Sequence, residues 1–237
     1  MANKPLPVLV DIPHKGFVIL ERWLKPGNRF LNEFIRTTDS VAGVLHDVVN
    51  ERILLIRQDH VAAMSDENPH GTLVTPFAGR FDVKLSPKQL LIKEAMEEVG
   101  VDLTEDDIEM LNFGQSMVLS IGVLTERAYL CYAEVRPEQL TGKDDDVRSA
   151  EGENEGITRH WVSTKDLETF VCDDLRVLAF IQYIRLKLLE RKIVRLNEVI
   201  DHSCDCEGVS SDDAAYPFED ERGDDDMDGE EHGVEMD

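Results

Sequence analysis

The sequence is short of basic residues and cysteines, and each shortage removes a class of function. Only 25 Lys and Arg stand against 49 Asp and Glu, a formal charge of −24 over 237 residues. Nonspecific nucleic-acid binding depends on bases that neutralise phosphates, so this balance argues against a nucleic-acid partner. Four cysteines, Cys131, Cys172, Cys204 and Cys206, lack the spacing of a disulfide framework. The first residues lack the apolar core of a signal peptide, and no apolar run approaches the about 18 residues that cross a bilayer. These absences lead to the expectation of a soluble, cytoplasmic protein with reduced thiols and no membrane contact. His202, Cys204 and Cys206 lie close together, but no fourth ligand completes a zinc set.

Acid is concentrated at the end. From Asp201 onward sixteen acidic residues face the single base Arg222. Too few apolar side chains remain there to offset the entropy of ordering, so residues 201–237 are read as a disordered acidic tail. Residues 1–38 hold two short strands, 16–24 and 30–37, across the turn signal at 25–28. Residues 39–200 form the main domain. Its β-rich runs are 40–49, 53–58, 72–77, 108–118, 127–135 and 157–162, and helices are expected over 87–99 and 175–191. Strands outnumber helices without a repeating βαβ pattern. The fold class is therefore α+β, a layered sandwich.

The helix at 87–99 carries the chemistry. Ser86 suits its N-cap, Pro87 its first turn and Gly100 its C′ position. Glu94, Glu97 and Glu98 stand at i, i+3 and i+4, which places three carboxylates on one face. Like charges at that spacing repel, and the negative end of the helix dipole disfavours them further. A hard divalent cation among the three would remove both penalties. Without one, they form a solvated acidic face with Lys93 as the local counter-charge. Ala78 and Gly79, closing a strand just before the helix, can aim a backbone carbonyl at the same place.

Residues 79–101 resemble the Nudix box, Gly-x5-Glu-x7-Arg-Glu-U-x-Glu-Glu-x-Gly-U with U apolar. Gly79, Glu94, Ala95, Glu97, Glu98, Gly100 and Val101 match, while Leu85 replaces the first glutamate and Lys93 the arginine. The likeness extends over most of residues 40–190 and is nearest to the ADP-ribose and UDP-sugar pyrophosphatase branch of the Nudix hydrolases. Residues 53–58 are similar to the strand ahead of the box. Residues 120–127 are similar to a loop that ends in glutamate, and residues 153–157 to an acidic loop that adds a carboxylate to the site.

The resemblance implies a Nudix α/β/α sandwich with a mixed sheet, preceded by N-terminal antiparallel strands. It implies Mg²⁺, with Mn²⁺ as a substitute, held by Ala78, Glu94, Glu97 and Glu98. Glu97 and Glu153 would be catalytic, Glu153 ahead of Glu155 as the acid that handles the attacking water. Arg57, His60 and Gly122 would touch substrate, His60 standing near where the branch has an arginine. The implied reaction cleaves the pyrophosphate of ADP-ribose or a UDP-, ADP- or GDP-sugar to a nucleoside monophosphate and a sugar phosphate, in a homodimer. Leu85 and Lys93 keep open a Nudix-fold sensor that binds a nucleotide sugar without cleaving it. Free nucleotides and dinucleoside polyphosphates remain alternative substrates.

Overall fold

The computed structural model describes residues 8–15, 18–27, 29–149 and 156–204. Glu153, Glu155 and the acidic tail beyond Cys204 lie outside the described residues. By internal contacts the chain divides into Met1–Arg191 and Lys192–Asp237, and both sheets and the site belong to the first unit.

Three antiparallel strands open the chain: β1 (Val8–Lys15), β2 (Ile19–Leu24) and β3 (Leu31–Arg36), in that spatial order. β1 is absent from the sequence reading, since Pro13 interrupts its pattern. It survives as an edge strand with a register shift between Asp11 and His14, where a missing N–H costs no ladder bond.

The main sheet has eight strands and is mixed. Its central path runs β11 (Thr158–Ser163), β5 (Arg52–Asp59), β4 (Ser40–Asp47), β10 (Arg127–Val135) and β8 (Ile108–Met110). β10 and β4 are parallel, in register from Ala128↔Ser40 to Val135↔Asp47, and the other pairs are antiparallel. Every residue of β4 is buried. Helices cover both faces of the sheet, so β4 has no solvent side on which polar residues could alternate. On one face α1 (Pro87–Glu94) sets Leu90 and Leu91 against Val41, Leu45, Leu54 and Phe77. On the other, α2 (Leu175–Cys204) sets Val177, Phe180, Ile181 and Ile184 against Val44, Leu55, Leu130 and Tyr132. This is the expected α+β sandwich with short N-terminal antiparallel strands. No helix among the described residues is long and apolar enough to cross a membrane.

Several sequence expectations need correction. The single strand expected over 72–77 is two: β6 (Thr72–Thr75) pairs with β5, and β7 (Phe77–Arg80) pairs with β4. Pro76 separates them because it cannot donate to a ladder. The strand expected over 108–118 survives only as β8 and as β9 (Met117–Val118), which pairs with β10. Between them Asn112 and Phe113 both adopt left-handed backbone at φ 53°, which breaks an extended run. α2 continues well past residue 191, to Cys204.

The split between β6 and β7 leaves a strand edge uncovered. β5 pairs with one half of β4 through Leu45↔Leu54 to Asp47↔Arg52, and β7 pairs with the other half through Ser40↔Arg80 to Gly43↔Phe77. β7 therefore has β4 on one side and an open edge on the other.

Candidate functional site

α1 begins as its sequence dictates. Ser86 Oγ accepts from the Gln89 N–H at 3.2 Å, Gln89 Oε1 accepts from the Ser86 N–H at 3.1 Å, and Pro87 needs no partner in the first turn. Its end differs from the continuous α-helix expected to residue 99. After Glu94 the backbone widens into a π-helical turn, Ala95–Val99, whose Ala95 carbonyl accepts from both Gly100 N–H and, at 3.0 Å, Val101 N–H. Gly100 closes the turn at φ 62° and ψ 48°, a conformation natural to glycine. Such widened turns recur at functional sites, because they shift side chains off the regular helical spacing.

The three glutamates are carried by this transition. Glu98 is only 5% exposed, and its Oε2 accepts from the Ala78 N–H on the open edge of β7 at 3.1 Å. In an antiparallel strand the N–H and C=O of one residue point the same way. The Ala78 carbonyl therefore projects from that edge as well. Glu94 is 8% exposed and lies flat against Gly79, where a Cβ would stand 2.3 Å from Glu94 Oε1. Any side chain at position 79 would push Glu94 away.

Glu97 is more open and pairs with Lys93 Nζ at 2.6 Å, while the same ammonium stands 3.5 Å from Glu94 Oε1. The bond to Glu97 raises the Lys93 pKa, so the lysine is firmly charged. Lys93 thus stands as counter-charge to two of the three carboxylates. Among the described residues no set of three or more His, Cys, Asp or Glu converges as it would around a metal ion.

A cleft of about 560 Å³ opens beside β7. Ala78, Gly79 and Arg80 form one side, Ser40 and Glu126 another, and Asp173, Asp174 and Arg176 at the start of α2 a third. Leu73, Met117, Leu119 and Leu130 make part of its wall apolar. Glu126 ends the loop singled out in the sequence, and Ser40 Oγ donates to its Oε1 at 2.7 Å. Asp174 accepts from Arg176 Nη2 at 2.6 Å and from the Arg176 backbone N–H at 2.8 Å, which fixes that corner of the wall.

The three residues expected to touch substrate lie elsewhere, and none lines this cleft. Arg57 is exposed on β5, with Nη2 at 3.3 Å from His160 Nδ1. Burial first, and Arg57 second, lower the pKa of His160. His60 is half-buried at the end of a loop closed by its N–H to the Gly71 carbonyl at 2.8 Å, and its Nε2 is buried without a partner among the described residues. Gly122 is exposed in a turn whose neighbour Val123 accepts from the Ile35 N–H at 2.7 Å.

Sequence reasoning missed Arg80, Ser40, Asp174 and, above all, Arg159. On β11, Arg159 is buried and donates through Nε to the Val99 carbonyl at 2.8 Å and through Nη2 to the Gly100 carbonyl at 3.3 Å. Burial pulls its pKa down and the neighbouring Arg148 does so further, while Asp144 opposes them. The available signal was a lone base within an otherwise half-apolar strand, 157–162.

No protein-family model matches the sequence, and no curated protein is similar to it. Among solved structures, the crystal structure of an ADP compounds hydrolase superposes with a TM-score of 0.57 and 16% sequence identity, covering 81% of this chain and 98% of that one. At that identity the likeness is one of fold, and the fold of this chain is Nudix-like.

Proposed function

We propose that this protein is a Mg²⁺-dependent pyrophosphatase that hydrolyses a nucleoside diphosphate sugar, ADP-ribose or a UDP-, ADP- or GDP-sugar, to a nucleoside monophosphate and a sugar phosphate. The observation that carries this reading is the burial of Glu94 and Glu98 against Gly79 and Ala78, at the open strand edge beside the cleft. Acidic side chains are rarely buried without a reason, and a solvated acidic face would leave all three in water. The fold neighbour, an ADP compounds hydrolase, supports the same substrate class.

The donor set suits the ion. Carboxylates and a peptide carbonyl are the hard oxygen ligands that Mg²⁺ or Mn²⁺ takes, and Gly79 leaves the hollow in which Glu94 lies. Glu94, Glu97, Glu98 and the Ala78 carbonyl would hold the ions, once Lys93, 44% exposed and on a flexible stem, swings away from Glu97. Bound there, Mg²⁺ supplies charge that polarises the diphosphate oxygens and acidifies a water. Arg80 and Glu126 belong to the polar part of the cleft, with Ser40, Asp173, Asp174 and Arg176, and its apolar wall is suited to a base or sugar face. Glu153, with Glu155 second, is assigned to the attacking water. Among the described residues on either side of it in sequence, Arg148 and Ile157 pair, their N–H groups donating to each other's carbonyls at 2.8 and 3.0 Å.

Incubation with Mg²⁺ and a panel of nucleoside diphosphate sugars, with monophosphate release as the readout, tests this directly. Turnover on at least one member is expected. Binding without turnover would instead favour a sensor, the reading that Lys93, already seated between Glu94 and Glu97 as a built-in cation, recommends. Neither binding nor turnover removes both.

A further inference from the structure

The carboxylate turn ends in a place where electrostatics oppose it. Its last carbonyls lack helical partners, and the negative end of the dipole lies beneath Glu97 and Glu98. Arg159 answers both problems from the neighbouring layer. Its side chain is 1% exposed, and burying a guanidinium is costly unless its donors are used. Here they are. Nε takes the Val99 carbonyl and Nη2 the Gly100 carbonyl, while Nη2 also donates to the Thr141 carbonyl and Nη1 reaches Asp144 Oδ1 at 3.3 Å.

The Thr141 side of this arrangement is itself bound to the turn. The Thr141 N–H and its hydroxyl both donate to the Gly100 carbonyl at 2.8 Å. Arg148 Nη2 donates to the Thr141 carbonyl at 2.7 Å, and its guanidinium stands where a Cβ on Gly100 would be. One planar fork therefore joins the end of the glutamate turn to the start of the loop at 141–149.

From this geometry, and resting on the pyrophosphatase reading, we propose that Arg159 is the positioning residue of the metal site. It sets where Glu97 and Glu98 stand by fixing the carbonyls that follow them, and it holds the 141–149 segment in register with that turn. It touches neither substrate nor metal. Lysine is a poor substitute, since a single ammonium cannot reproduce a planar fork aimed at three carbonyls and a carboxylate.

The test uses the full chain and Mn²⁺ as the probe, with affinity read from the free-ion electron paramagnetic resonance signal. Arg159→Met is expected to weaken Mn²⁺ binding by about tenfold or more, as loss of outer support typically does, with Arg159→Lys recovering part of it. Asp144→Asn, which loosens the loop end and leaves the carbonyl bonds, is expected to weaken it less. If Arg159→Met does not fold, judged by urea unfolding, the lysine and Asp144 variants decide.

Amide hydrogen exchange on the metal-free chain is expected to quicken in Arg159→Lys at both 98–101 and 141–149. Quickening in one segment alone overturns the coupling. Mn²⁺ affinity in Arg159→Lys within about twofold of wild type overturns the proposal while leaving the pyrophosphatase reading intact. A wild-type chain that holds no Mn²⁺ overturns both.

Discussion

A glutamine at position 98 retains an oxygen for the Ala78 N–H and loses the negative charge. Glu98→Gln is therefore expected to keep the fold, with a urea midpoint near that of wild type, and to lower turnover by about a hundredfold or more. Near-normal turnover would discredit the metal assignment. The i, i+3 and i+4 spacing of Glu94, Glu97 and Glu98 was legible in the sequence, whereas the π-helical turn that carries Glu97 and Glu98, and their separate bonds to Lys93 and Ala78, were not. Lys93 as a local counter-charge was legible from the same spacing. Arg159 was not, for its partners are the carbonyls of Val99, Gly100 and Thr141, and a backbone carbonyl leaves no trace in residue identity.

Element boundaries followed local chemistry where that chemistry is strong. Ser86 and Pro87 begin α1, and Gly100 ends its continuation, as expected. The widening at Ala95–Val99 was hidden, since no residue type marks a π-helical turn. The division of 72–80 into β6 and β7 depends on Pro76 and on two different partner strands, and only the second strand's pairing to β4 reveals it. Between β4 and β10, His46 Nδ1 lies 2.8 Å from the Tyr132 hydroxyl, which donates to Glu134 at 3.0 Å. Burial lowers the His46 pKa from its ordinary 6.5, against the nearby Glu134 and Asp47 and together with Arg191. The unfolded chain then binds the extra proton first as pH falls. Stability is full above about pH 6.5 and declines as pH drops from there through the folded value. Urea midpoints measured on either side of pH 6.5, at about pH 7.5 and about pH 5.5, should fall further for wild type than for His46→Gln. Equal falls would exclude His46 as the source.

Across the whole molecule, the layered α+β class was legible because strands outnumber two well-marked helices without a repeating βαβ pattern, and the fully buried β4 agrees with a sheet covered on both faces. The N-terminal sheet was less so. Leu9, Val10 and Ile12 of β1 are all exposed, with Leu31 of β3 likewise open. Apolar side chains on an uncovered edge strand suit a second copy of the chain, and we propose a homodimer through this sheet. Light scattering at micromolar protein and moderate salt, which screens the −24 charge of each chain, is expected to give twice the monomer mass. A monomer under those conditions removes the proposal. The two sheets treat their borders differently. An unguarded strand border offers a template on which a stranger's backbone can zip, the first step towards clumping. At β7 the outward amide of Ala78 is already taken by the Glu98 carboxylate, so the group assigned to chemistry also blunts that border against unwanted neighbours.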